Sequence, residues 1–209
     1  MVALMALVGL VCGRAIRVLA DAYAVRTLAD AWDDPADAYD GVTPAPAWPP
    51  WVELLTAAVA GLVAWRVGLP YVCFAVIGTA LAVVDWRTRL LPDAITLPAY
   101  PIVALALVPT GEVARAVAGG AVLAAVYGVL WLVRPHAMGL GDVKLAGLIG
   151  MASAALGWQA LVVAAFCGQL LGALYGLALL VTRRGTRHTQ FPFGPFMLLG
   201  ALSVLVLGW

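Results

Sequence analysis

Charge is what this chain has least of. Only 11% of its 209 residues are Asp, Glu, Lys or Arg, while 64% are hydrophobic. A soluble domain carries about 25% charged and about 45–50% apolar residues. There is too little polar surface here to coat a water-soluble fold, so the composition is that of a membrane protein. Histidine is scarce as well, and His136 and His188 are too isolated in sequence to make a metal site. The cysteines Cys12, Cys73 and Cys167 sit singly in apolar runs and form no CxxC pattern, so they read as small core residues. No metal or cofactor is expected. The formal net charge of +1 excludes the basic surface that a nucleic-acid partner requires.

Long apolar runs are what the chain does have. They fall at about 1–19, 51–68, 70–84, 95–110, 113–133, 143–156, 158–181 and 193–209, and a spanning helix needs about 17–25 such residues. The expected fold class is an all-α, polytopic transmembrane bundle of about eight spans. The sixth span is the weakest, because it holds Gly147 and Gly150 and starts beside Asp142 and Lys144. Met1 to Gly13 is apolar, but Arg14 and Arg17 follow it and no cation precedes it. That order is the reverse of a secretory signal, so a retained first span with its N-terminus outside is expected.

The cations divide unevenly over eight alternating spans. One side receives Arg14, Arg17, Arg26, Arg87, Arg89, Arg134, Lys144, Arg183, Arg184 and Arg187; the other receives Arg66 and Arg115. The positive-inside rule makes the first side cytoplasmic. Residues 20–50 read as the one long loop, rich in Asp and Pro, with Asp30, Asp33, Asp34, Asp37 and Asp40 followed by Pro44, Pro46, Pro49 and Pro50. This divides the chain into 1–50, a first span plus a cytoplasmic loop, and 51–209, a membrane-embedded unit.

Carboxylates are costly beside hydrocarbon, so those near the spans are informative. Glu53 and Glu112 precede or open apolar runs and read as helix-start residues favoured by the helix dipole. Asp85 closes the third span and Asp142 opens the sixth. Two spans lie between them, so the chain returns to the same side and both carboxylates reach one membrane boundary. Two neighbouring carboxyls share a proton, so one can activate water while the other protonates a carbonyl oxygen. Taken each on its own helix, the dipole favours an ionised Asp142 and a protonated Asp85. Gly139 and Gly141 would let the backbone turn sharply and a substrate strand approach closely. Asp93, after Pro92 and before an apolar run, reads as an N-cap, with a place in the pair as its alternative. The same two aspartates also suit a proton- or cation-coupled transporter or channel.

Three segments carry a family resemblance. Asp85-Trp86-Arg87-Thr88-Arg89-Leu90-Leu91-Pro92-Asp93 resembles the first active-site segment of the type IV prepilin peptidases, and Gly139-Leu140-Gly141-Asp142-Val143-Lys144 resembles the second. Phe191-Pro192-Phe193-Gly194-Pro195-Phe196 is similar to the motif before the last span of that family. The likeness covers about residues 51–209, which it makes the peptidase domain. It implies a GxGD-type membrane aspartic endopeptidase that removes the leader from type IV prepilins or pseudopilins on the cytoplasmic side of the bacterial inner membrane. Asp85 and Asp142 match the catalytic aspartates, and Gly139, Gly141, Lys144 and Asp93 match supporting motif positions. Prepilin leaders and the bilayer are the implied partners. Larger members carry a cytoplasmic domain with paired CxxC motifs after the first span, associated with N-methylation. The 20–50 loop contains no cysteine, which puts methylation in doubt. Two further readings are a non-catalytic assembly subunit and a related GxGD protease with other membrane substrates.

Overall fold

The computed structural model describes residues 1–33, 51–135, 138–183 and 191–207, with residues 27–33 described by their backbone alone. Among these residues the chain forms eight α-helices: α1 (Val2–Asp33), α2 (Trp51–Arg66), α3 (Val72–Thr88), α4 (Asp93–Leu107), α5 (Val113–Val133), α6 (Leu140–Leu156), α7 (Trp158–Val181) and α8 (Gly194–Leu207). Short 3-10 turns at Leu69–Tyr71 and Val108–Thr110 lead into α3 and follow α4. Gly111, at φ 75°, supplies the left-handed residue that ends the second turn before α5 begins.

The described architecture is the helical bundle that the hydropathy pattern predicts. Five segments are long and apolar enough to cross a bilayer: Val2–Arg26, Leu69–Thr88, Asp93–Thr110, Val113–Val133 and Trp158–Val181. Helices α2, α6 and α8 are shorter, with 16, 17 and 14 residues. Large apolar side chains such as Leu105, Leu132, Val162 and Phe166 face outward, where water would penalise them and lipid does not. This is a multi-pass membrane protein.

One boundary differs from the sequence reading. The loop expected from residue 20 does not begin there, because α1 continues for 32 residues to Asp33. Ala20 to Trp32 contains neither Gly nor Pro and is rich in Ala, so helix propensity carries the chain past the apolar run. The remainder of the expected acidic and proline-rich loop, from Asp34 to Pro50, lies outside the described residues. So do His136 and the basic stretch that contains Arg184, Arg187 and His188.

Helix α6 is the axis of the bundle. Every residue from Leu145 to Ala155 is buried, as expected for a helix that is apolar all round. It packs against α4, α5, α7 and α8. Small residues set the closest approaches, because in a membrane helices gain mainly by backbone proximity and van der Waals packing. A Cβ on Gly150 would stand 2.5 Å from the Gly119 carbonyl oxygen of α5. Between α7 and α8, a Cβ on Gly200 would stand 2.4 Å from the Gly168 nitrogen.

The two ends of the bundle are chemically distinct. At one end, Arg115 donates to the carbonyls of Ala154 and Ala155 at 2.7 and 2.8 Å, closing the C-terminus of α6. There too, Arg66 donates to the Val206 and Leu207 carbonyls at 2.5 and 3.1 Å, closing α8. These are the two cations that the loop count assigns to the minority side. Both work as cationic caps on the last carbonyls of a neighbouring helix. The opposite end gathers the close of α3 and the starts of α4, α6 and α8, and that end holds the candidate site.

Candidate active site

Asp85 stands one turn before the end of α3. The helix does not stop at Asp85, as the hydropathy pattern predicts, but runs on to Thr88. The Thr88 hydroxyl donates to the Val84 carbonyl at 2.9 Å, and Arg89 caps the helix in a left-handed conformation, its N–H reaching the Asp85 carbonyl at 2.8 Å. Asp85 thus lies inside the helix and not at its end, and it is only 4% exposed. The neighbouring Arg87 pairs with Asp21, tying α3 to α1. At the same end Arg17 pairs with Glu53 at 2.8 Å, tying α1 to α2.

Asp142 occupies the first turn of α6. Its Oδ2 accepts the N–H of Gly139 at 3.2 Å, while its own N–H donates to the Gly139 carbonyl at 3.1 Å. The helix start is thus closed on itself by the residue three positions in, as in half of a capping box. The two glycines of this segment differ in what they do. Gly139 has φ −78° and ψ 151°, extended backbone that any residue adopts, so the sharp turn expected there is not present. Gly141 is needed for contact: a Cβ there would stand 2.8 Å from the Leu91 Cβ. The first and second motif segments therefore touch directly.

The end of α3 that carries Asp85 and the start of α6 that carries Asp142 are brought together: a Cβ on Gly194 would stand 2.8 Å from Asp85 Oδ2 and 3.2 Å from the Cδ2 of Leu145, one turn beyond Asp142. The even number of crossings between them only allowed that meeting. Asp93 takes another position. Pro92, not Asp93, is the N-cap of α4, and the exposed Asp93 carboxylate accepts Lys144 Nζ at 2.5 Å. Tyr100, two turns further along α4, lies across Gly147 and donates its hydroxyl to the Lys144 carbonyl at 2.6 Å. Lys144 is thereby held at both its ammonium and its carbonyl.

Two contributors carried no signal in the hydropathy or charge pattern. Tyr127 of α5 is 2% exposed and lies within range of the Asp142 charge. Gly194, the first residue of α8, donates its N–H to Asp85 Oδ2 at 3.0 Å across 109 residues of chain. Its presence in the Phe-Pro-Phe-Gly-Pro-Phe segment is the one feature of the sequence that pointed to it. This contact changes the dipole comparison drawn from sequence. Asp85 sits near the C-terminus of its own helix but also faces the N-terminus of α8, so both carboxylates meet a helix start. Among the described residues no three His, Cys, Asp or Glu side chains gather as a metal-ligand set.

The Type IV leader peptidase family model matches residues 72–177 of this chain, a stretch that includes both aspartates. Among curated proteins, the prepilin leader peptidase/N-methyltransferase of Pseudomonas aeruginosa is 32% identical over 76% of this chain and 58% of its own length. The protein of that name from Pseudomonas putida is 36% identical over 75% of this chain and 58% of its own. That of Escherichia coli K12 is 37% identical over 66% and 62%. The chain therefore spans about three-fifths of the length of the curated relatives it matches. No solved structure matches it significantly.

Proposed function

Because this chain belongs to the type IV leader peptidase family, we propose that it is a membrane aspartic endopeptidase that cuts the leader from type IV prepilins or pseudopilins. Asp85 and Asp142 are the reacting pair. The observation that carries the reading is a carboxyl only 4% exposed, Asp85, at the same end of the bundle as a second, Asp142, with Gly194 packed between Asp85 and the Leu145 of Asp142's helix. Both belong to the stretch that the family model matches.

The chemistry follows from the pair sharing one proton. The ionised carboxylate takes a proton from water, and the water oxygen bonds to the scissile carbonyl carbon. The protonated carboxyl gives its proton to the carbonyl oxygen. The tetrahedral intermediate then collapses, the C–N bond breaks, and the departing amine takes up the proton removed from water. No covalent enzyme intermediate is needed. Burial of Asp85 keeps competing water away and strengthens every electrostatic interaction at the reacting centre.

Cleavage takes place at the cytoplasmic boundary of the inner membrane in this reading. It rests on the cation asymmetry between the two ends of the bundle. Residues 51–209 form the peptidase domain, and residues 1–50 supply the first span and the acidic linker. The proposal extends to peptide hydrolysis alone and not to N-methylation.

The test is co-expression of the full chain with a prepilin, followed by the mobility and N-terminal sequence of the product. Processed pilin beginning at the mature terminus supports the reading. Intact prepilin beside well-folded, membrane-inserted protein overturns it.

A further inference from the structure

The segment before α8 does more than enter the membrane. We propose that Gly194 is a positioning residue, which aims the Asp85 carboxylate through its backbone N–H and its missing side chain. This rests on the aspartic peptidase reading above for its effect on rate, but not for the contact itself.

The donors at the start of α8 can be followed one by one. The first N–H groups of a helix have no partner within it. Pro195 has none to offer. The N–H groups of Phe196 and Met197 both turn back to the Phe193 carbonyl, at 3.1 and 3.3 Å. That leaves the Gly194 N–H as the first-turn donor pointing out of the helix, and it goes to Asp85 Oδ2 at 3.0 Å. One carboxylate oxygen is thus engaged by backbone, and the reaction falls to the other.

Any side chain at this position must push the Asp85 carboxylate aside. A Cβ on Gly194 would stand 2.8 Å from Asp85 Oδ2 and 3.2 Å from Leu145 Cδ2. Leu145 lies one turn beyond Asp142 on α6, so Gly194 fills the space between the two helices that carry the aspartates.

The flanking residues hold this point still. Phe193 packs over Gly172 of α7, where a Cβ would stand 2.4 Å from its ring. Phe191 and Phe196 meet Tyr175 of α7, with ring centroids 5.5 and 4.9 Å apart, and Tyr175 in turn meets Trp86 at 6.4 Å. Trp86 follows Asp85 directly in sequence. The aromatic residues therefore join both sides of the Gly194–Asp85 contact through α7. Each residue from Phe193 to Phe196 has a task that suits its type: a ring that fits a glycine, a glycine against a carboxylate, a proline with no competing N–H, and a ring that anchors the turn.

Phe193-Gly194 is the one Phe-Gly pair in the chain. Carbonyl-13C Phe with 15N Gly therefore isolates a single amide resonance in the detergent-solubilised protein, whatever the protein's activity. Asp85→Asn, which leaves a weaker neutral acceptor, is expected to move that resonance upfield; an unmoved resonance overturns the proposal. In the cleavage assay, Gly194→Ala is expected to lower kcat about tenfold or more with KM little changed, the range seen when a positioned acid–base group is displaced. Gly194→Ala combined with Leu145→Val separates the two close contacts. Recovery of kcat in the double variant traces the loss to crowding of Leu145 and overturns the positioning role, whereas continued loss supports it. A prepilin left uncut by the wild type removes the peptidase reading, and the amide resonance still decides the contact.

Discussion

Asp93 and Asp85 are separated by eight positions in one motif, yet their surroundings predict opposite responses to the same substitution. Asp93 is more than half exposed and pairs with Lys144, whose side chain is one-third exposed. Exposed pairs of this kind contribute about 0.2–1 kcal/mol. If all of that were lost from the transition state, Asp93→Asn would slow cleavage by no more than about fivefold, since 1.4 kcal/mol corresponds to tenfold. Asp85 is buried and lies at the same end of the bundle as Asp142. Replacing it by Asn removes a general acid or base, whose contribution is about 10²–10⁴-fold. Asp142→Asn is expected to fall as far. The assay is leader cleavage of a co-expressed prepilin at matched membrane levels of each variant, with the first-order rate taken from product accumulation. The decisive quantity is the gap between Asp93→Asn and Asp85→Asn, at least about twentyfold on these magnitudes. If Asp93→Asn falls as far as Asp85→Asn, or if Asp85→Asn still cuts at near the wild-type rate, the assignment of the pair is wrong.

Three further outcomes follow from other parts of the molecule. Gly150→Ala places a methyl 2.5 Å from the Gly119 carbonyl oxygen and is expected to cost about 1–3 kcal/mol by overpacking, read as a lower midpoint in detergent unfolding; an unchanged midpoint would mean that α5 and α6 are not in such close contact. Arg115→Ala removes two charge-assisted donors from the C-terminus of α6 and is expected to destabilise by about 1.5–3 kcal/mol. Below the unfolding range its cleavage rate should stay within about twofold of wild type, because the residue lies at the end of the bundle away from the aspartates; a large loss of rate in folded protein would contradict that placement. A two-carboxylate mechanism uses no metal, so EDTA should leave the cleavage rate unchanged, and a loss that added zinc restores would refute it.

Much of the architecture is legible in local sequence. Apolar runs set where the helices lie, because hydropathy and helix propensity are summed over neighbours in the chain. The limits of α5 and α7 coincide with the apolar segments 113–133 and 158–181. Where the apolar run and the helix diverge, as at α1, propensity outlasts hydropathy and carries the helix to Asp33. The placement of Asp85 and Asp142 at one end of the bundle also follows from sequence, since two helices between them bring the chain back to the end it left.

What the tertiary structure alone decided is which groups meet at that end of the bundle. Asp93 and Asp85 are both acids near a span end, and hydropathy does not distinguish them. Packing buries one and sends the other to Lys144. Gly194 is one glycine among 22, and the Phe-Pro-Phe-Gly-Pro-Phe segment around it singles it out without naming Asp85 as its partner. Its N–H reaches that carboxylate with α8 packed against α7 backbone to backbone at Gly168 and Gly200, which sets where the start of α8 lies in space. Local sequence sets the helices and the end at which each begins. Contacts between residues a hundred positions apart depend on how closely those helices can approach, and that is a property of their packed surfaces together.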